Sequence, residues 1–171
     1  RLINANFGSG DFFCRFSAPY GTYETEEEFR KEVGKWLYRI NYRLKKQGKG
    51  RLKYIAFIEC GKSGKNWHIH IIVSKEDREL LSEQWPYENG QNFTPLYKNE
   101  NFKKLAEYIT KDLTGKEDVD AAQKRMMTSR NLTKPESVTR KAKRKEIRAL
   151  ERGEMIEAPE GHYLIEDDYS M

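Results

Sequence analysis

Residues 52–73 constrain the fold more than any other part of the chain: Leu-Lys-Tyr-Ile-Ala-Phe-Ile-Glu-Cys-Gly-Lys-Ser-Gly-Lys-Asn-Trp-His-Ile-His-Ile-Ile-Val. Two runs of apolar, β-branched and aromatic residues flank a segment of Gly, Lys, Ser and Asn, the pattern of two strands joined in a hairpin. Side chains alternate along a strand, so His68 and His70 share one face while Ile69 and Ile71 take the other. With a loop from Gly61 to Asn66, Cys60 pairs with Trp67 and Glu59 lies opposite His68. Two imidazoles and a carboxylate then converge, as a divalent cation requires. A slip of one residue would carry Glu59 to the opposite face, so the reading depends on register. A pair of strand histidines that holds no metal is the alternative.

Composition sets wide bounds. The 171 residues suit one domain, 1–171, with a sizeable core. Thirty-two Lys and Arg against 27 Asp and Glu give a net charge of +5, a mild excess that fits a phosphate-bearing partner. No apolar run reaches the roughly 18 residues of a membrane span, and nothing near Arg1 resembles a signal peptide. Arg1 in place of Met suggests a fragment of a longer chain. Cys14 and Cys60 form no close-spaced pair, which points to a reducing, cytoplasmic setting. Cys60 faces away from the histidines and is expected to be a small buried hydrophobe.

In chain order, Asp11–Ala18 reads as a first strand after a Gly-rich turn. Phe29, Val33, Trp36, Leu37, Ile40 and Leu44 then recur at helical spacing, started by the Thr25/Glu28 capping box and stopped at Gln47-Gly48. The basic far end of this helix (Arg39, Arg43, Lys45, Lys46) is either a nucleic-acid patch or a solvated face. After the hairpin, Ser74 would cap a helix over Lys75–Gln84. Gln91–Tyr97 reads as a strand, at a sheet edge because it holds Pro95. Phe102, Leu105, Ala106, Ile109 and Leu113 make the stripe of a further helix with Tyr108, Lys111 and Lys104 on its flank. Residues 116–134 are charged and weakly periodic. A basic helical segment occupies about 135–152, and a short last strand about 162–166.

These parts could perform phosphoryl transfer. A metal at the histidine pair would offset charge on a backbone phosphate. Tyr108 could attack as nucleophile, leaving a 5′-phosphotyrosine and a 3′-hydroxyl. A phenol titrates near 10, so a neighbouring cation such as Lys111 is needed to favour the phenolate. A tyrosine that only packs its ring is the alternative.

Trp67-His68-Ile69-His70-Ile71-Ile72 resembles the His-hydrophobic-His motif of HUH endonucleases, and Ala106-Glu107-Tyr108-Ile109-Thr110-Lys111 resembles their Tyr-x-x-Lys motif. Histidines before tyrosine is the order of rolling-circle replication initiators. Ile3-Asn4-Ala5-Asn6-Phe7-Gly8, the carboxylate before the histidines, and Ser129-Arg130-Asn131-Leu132 look like the initiators (Rep) of Gram-positive phages and plasmids. The resemblance implies an α+β fold: a central antiparallel sheet of about five strands with packed helices, similar to an RNA-recognition fold. It implies Mg²⁺ or Mn²⁺ at His68, His70 and Glu59, and nicking and rejoining of single-stranded or hairpin origin DNA by Tyr108 with Lys111. Arg15, Lys104, Arg130 and Asn131 are the candidate DNA contacts. The family's first strand usually carries a motif of the Leu-Thr-Leu-Thr kind, and here Cys14-Arg15-Phe16-Ser17 stands instead. A DNA-binding module that no longer cuts, or a related single-tyrosine transposase, are the alternatives. With no Gly-x-x-x-x-Gly-Lys-Ser segment, strand unwinding would fall to a separate helicase.

Overall fold

The computed structural model describes residues 2–61, 63–97, 102, 105, 126–135 and 143–152. The chain divides into two compact units, Arg1–Pro135 and Glu136–Met171.

The first unit is built on an antiparallel sheet of β1 (Phe12–Ser17), β2 (Tyr54–Cys60), β3 (Trp67–Val73), β4 (Gln91–Pro95) and β5 (Met126–Thr128). The strand order is β4-β1-β3-β2-β5. Helices α1 (Glu26–Lys46) and α2 (Arg78–Gln84) complete the described elements, α2 preceded by a 3₁₀ turn at Lys75–Asp77. The α+β fold with a five-stranded antiparallel sheet is the one the sequence implies. The register of the central hairpin is also as expected, with Glu59 opposite His68 and Cys60 opposite Trp67.

Local chemistry explains each boundary. Thr25 accepts from the Glu28 amide while the Glu28 carboxylate accepts from the Thr25 amide, the reciprocal pair that starts α1. Gly48, at φ +69°, supplies the left-handed residue that ends it. Pro95 sits on the edge strand β4, where its missing N–H costs no ladder bond to a further strand. Ser74 makes no side-chain cap, and the expected helix over Lys75–Gln84 opens instead as a 3₁₀ turn. The last strand is β5, inside a stretch too charged and aperiodic to read as one. The expected strand near 162–166 lies outside the described residues.

α1 covers one face of the sheet. Phe29, Val33, Trp36, Leu37, Ile40 and Leu44 pack on Cys14, Phe16, Ala56, Ile58, Ile69, Ile71 and Val73. At about 1.5–3 kcal/mol for each large apolar side chain removed from water, this layer is the main source of stability. Trp36 Nε1 donates to the Leu81 carbonyl (3.1 Å) and ties α1 to α2. Burial pushes the Cys14 thiol up to about 12, so it is an inert packing group. Cys60, expected to be buried, is half-buried, because it is the last residue of β2.

The other face is closed at one end only. Ile55, Phe57 and Ile72 are covered by Ile3, Phe7 and Leu96, with Leu2, Phe13, Phe102, Leu105 and Leu132 packed against them. The Asn6 side chain holds this cover in place. Its Nδ2 donates to the Thr133 carbonyl (2.8 Å) and its Oδ1 accepts from the Thr133 amide (2.7 Å).

In the second unit the described part is α3 (Arg144–Glu151), inside the expected basic helical segment, with Ile147 44% exposed.

Candidate metal centre

The uncovered end of the second face holds the site. Residues directly opposite on antiparallel strands share a face. Glu59 pairs with His68, Phe57 with His70, and Arg15 with His70, so all five lie on one surface. One carboxylate oxygen, Glu59 Oε2, stands 3.0 Å from His68 Nε2 and 3.1 Å from His70 Nε2. The group could hold a metal ion, since one ligand atom from each residue falls within 4.8 Å of the others.

The rings are fixed before any ion arrives. His68 Nδ1 lies 3.2 Å from the Asn66 carbonyl, which can only accept, so Nδ1 carries the proton. A neutral His68 therefore aims the Nε2 lone pair at a carboxylate oxygen. That arrangement is repulsive until a cation, proton or metal, lies between them. The His70 ring stacks on Phe57 at 4.8 Å and on Phe13 at 5.3 Å, each within 10° of parallel. Its burial, then the charges of His68 and Arg15, push its pKa down to about 4, so it is a neutral imidazole at pH 7. A neutral imidazole is the form that ligates metal. Glu59 is the member open to water, its side chain 30% exposed against 5% for His70.

The donor set fits a divalent ion. Adjacent ligands on an octahedral ion with bonds of about 2.1 Å stand about 3.0 Å apart. The two nitrogen-to-oxygen separations here match that figure. Two imidazoles with one carboxylate suit a first-row transition ion better than an all-oxygen ion.

Of the other residues expected at the site, Arg15 is exposed beside His70, and its neighbour on the edge strand is Asn92. Arg130 and Asn131 are not brought to the histidines. They follow Ser129, whose backbone and hydroxyl bond Tyr54 at the far end of β2. Tyr54 is five residues from Glu59 along that strand, about 17 Å at a strand's rise per residue. The Asn131 amide donates to the Arg51 carbonyl (2.9 Å), and Arg130 is exposed. Tyr108, Lys111 and Lys104 lie outside the described residues. Sequence reasoning missed the Asn66 carbonyl and the flanking rings of Phe13 and Phe57. The hairpin register already put Phe57 opposite His70 and could have suggested one of them.

Fold and site together define an α+β sheet domain bearing a two-histidine, one-carboxylate centre on its partly open face. The family model for replication-associated proteins of the ORF2 kind matches residues 21–118, more than half of the chain. The chain belongs to this family of replication-associated proteins. Neither a curated protein nor a solved structure gives a significant match. No helix among the described residues is long and apolar enough to cross a membrane.

Proposed function

We propose that this chain is a rolling-circle replication initiator of the HUH endonuclease type, nicking single-stranded origin DNA through a covalent 5′-phosphotyrosine. The observation that carries the reading is the Glu59 oxygen held 3.0–3.1 Å from two imidazole nitrogens, one of which has its proton committed to the opposite ring atom. Such a centre asks for a cation. Glu59, His68 and His70 would hold Mg²⁺ or Mn²⁺, which when bound would draw negative charge from a DNA phosphate. Arg15, on the same surface, adds a second positive contact for the strand.

Tyr108 is the nucleophile in this reading. Its phenolate oxygen attacks phosphorus as the bond to O3′ breaks, and the departing O3′ takes up a proton equivalent to the one the phenol gave up. Lys111 stabilises the phenolate or the phosphate charge. One phosphodiester is exchanged for another, so the reverse attack by a 3′-hydroxyl rejoins the strand. Two facts support the assignment. The family match spans both the histidines and Tyr108. Phe102 and Leu105, which precede Tyr108 at helical spacing, pack on the same sheet face as the histidines.

The test is incubation with Mn²⁺ and single-stranded DNA selected for binding from a random library. A protein–DNA adduct resistant to denaturant should form, and Tyr108→Phe should abolish it while leaving the thermal melt unchanged. His68→Ala should abolish both the adduct and Mn²⁺ binding by calorimetry. Tight DNA binding without an adduct under any divalent ion would favour the module that no longer cuts. Restored cleavage on mixing His70→Ala and Tyr108→Phe proteins would favour a transposase-like dimer.

A further inference from the structure

The face of α1 turned away from the sheet carries two large aromatic rings in water. Tyr38 is 72% exposed and Tyr42, one turn on, 49%. An outward helix face is ordinarily polar, and rings placed there contribute nothing to the core. Lys35, Lys45 and Lys46 stand on the same stripe at helical spacing and are exposed. The Lys46 ammonium lies 4.9 Å over the Tyr42 ring. Gly34, beside Tyr38 on this stripe, has open space where a Cβ would be, so no packing contact demands glycine there.

The charge is concentrated too. From Val33 to Ile58 the sequence has eight Lys and Arg and no Asp or Glu, although the whole chain is only +5. The rest of the chain is therefore net negative, and the positive excess gathers on the C-terminal half of α1 and the loop after it. Nearer the start of the helix, Glu27 and Glu32 pair with Lys31 (2.9 Å) and Lys35 (3.5 Å).

We infer that the outward face of the C-terminal half of α1 is a second nucleic-acid surface, holding single-stranded DNA by stacking bases on Tyr38 and Tyr42 while Lys35, Lys45 and Lys46 meet phosphates. Phosphates of a duplex would need only the lysines. Exposed rings add affinity where bases are unstacked and present their faces. Four residues of helix separate the rings by about 6 Å along the axis, more than the 3.4 Å between stacked bases, so a strand on both rings is opened between them. The sheet lies between this surface and Glu59, His68 and His70. A strand held on α1 is thus a different segment from one at the metal centre, and the surface acts whether or not the chain nicks.

The experiment is fluorescence anisotropy with labelled oligothymidylate, and with a duplex of the same length, at two salt concentrations. Tyr38→Ala/Tyr42→Ala should weaken oligothymidylate binding by about tenfold or more, while Tyr38→Phe/Tyr42→Phe stays within about threefold of the parent. Lys45→Gln/Lys46→Gln should flatten the salt dependence by about 1.4 in log–log slope. Unchanged binding of the alanine pair would overturn the proposal. So would equal losses in the alanine and phenylalanine pairs, or a duplex bound as tightly as the strand. Both tyrosines are exposed and alanine favours helix, so thermal melts should match. Adduct formation with Mn²⁺, read in the same samples, reports the nicking reading separately.

Discussion

The two faces of one sheet are built from alternate residues of the same strands and follow different rules. Towards α1, β3 presents Ile69, Ile71 and Val73, all fully buried among apolar partners. Towards the other side it presents His68, His70 and Ile72, and only the last is inside an apolar cluster. A step of two residues along this second face passes from a closed hydrophobic layer to two buried imidazoles facing a carboxylate. The first face supplies stability. The second places polar groups where burial disfavours their charged forms, as functional sites commonly do at some cost in stability. One hairpin can serve both because strand alternation keeps the two sets of side chains apart.

The largest effect expected from this division is at Phe16. Its side chain is fully buried, with ring centroids 4.8 Å from Trp36, 5.3 Å from Trp85 and 5.5 Å from Phe93. Phe16→Ala should cost about 3–5 kcal/mol in urea unfolding. A loss below about 1 kcal/mol would mean that α1 and its layer are not what holds the domain.

The second face should reveal itself through pH. His70 is held neutral, its pKa lowered to about 4 from 6.5 by burial, His68 and Arg15. Below pH 6.5 the unfolded chain takes up this proton and the folded one does not, so folding stability falls until about pH 4 and levels off beneath it. The drop reaches at most about 3 kcal/mol. Glu59, 3.1 Å away, favours the imidazolium and keeps the drop under that ceiling. Mn²⁺ at about 100 times its dissociation constant should add about 2.7 kcal/mol at neutral pH and lose that gain as the imidazoles protonate. Chemical denaturation from pH 7.5 to 4 measures both, and a His70→Ala protein with the same pH dependence as the parent would refute the assignment to this ring.

The closed face and the hairpin were legible because periodicity and turn chemistry agree there. Six apolar residues at helical spacing behind a capping box leave one face of α1 to bury. Period-two runs around a Gly-rich loop leave one register that hides both isoleucines of Ile69 and Ile71, and that register sets Glu59 against His68. The rest depends on partners distant in sequence. β5 is three residues long, too short for any period, and is a strand because β2 offers it an edge. Asn131 is a polar donor in a loop, and only the nearby Arg51 carbonyl says what it meets. Ile3 and Phe7 are two apolar residues in a turn, and their burial follows from the half-open sheet face above which they fold.

That cover gives the smallest and most local way to separate the faces. Asn6 joins the N-terminal turn to Thr133 through two short bonds to one residue's backbone, across 127 positions of sequence. The bonds are exposed, so water can replace them, and Asn6→Ala should cost about 1–2 kcal/mol, the net worth of two such bonds. The loss should be confined to the face it covers: faster amide exchange at Phe7 and Ile72, with exchange in α1 unchanged. Ile72 is the register neighbour of Ile55 and lies two residues from His70, so loosening the cover should also weaken Mn²⁺ binding modestly. Uniform acceleration of exchange through α1 as well would show that the two faces unfold as one unit, and that the polar end of the sheet is not supported separately from the helix that backs it.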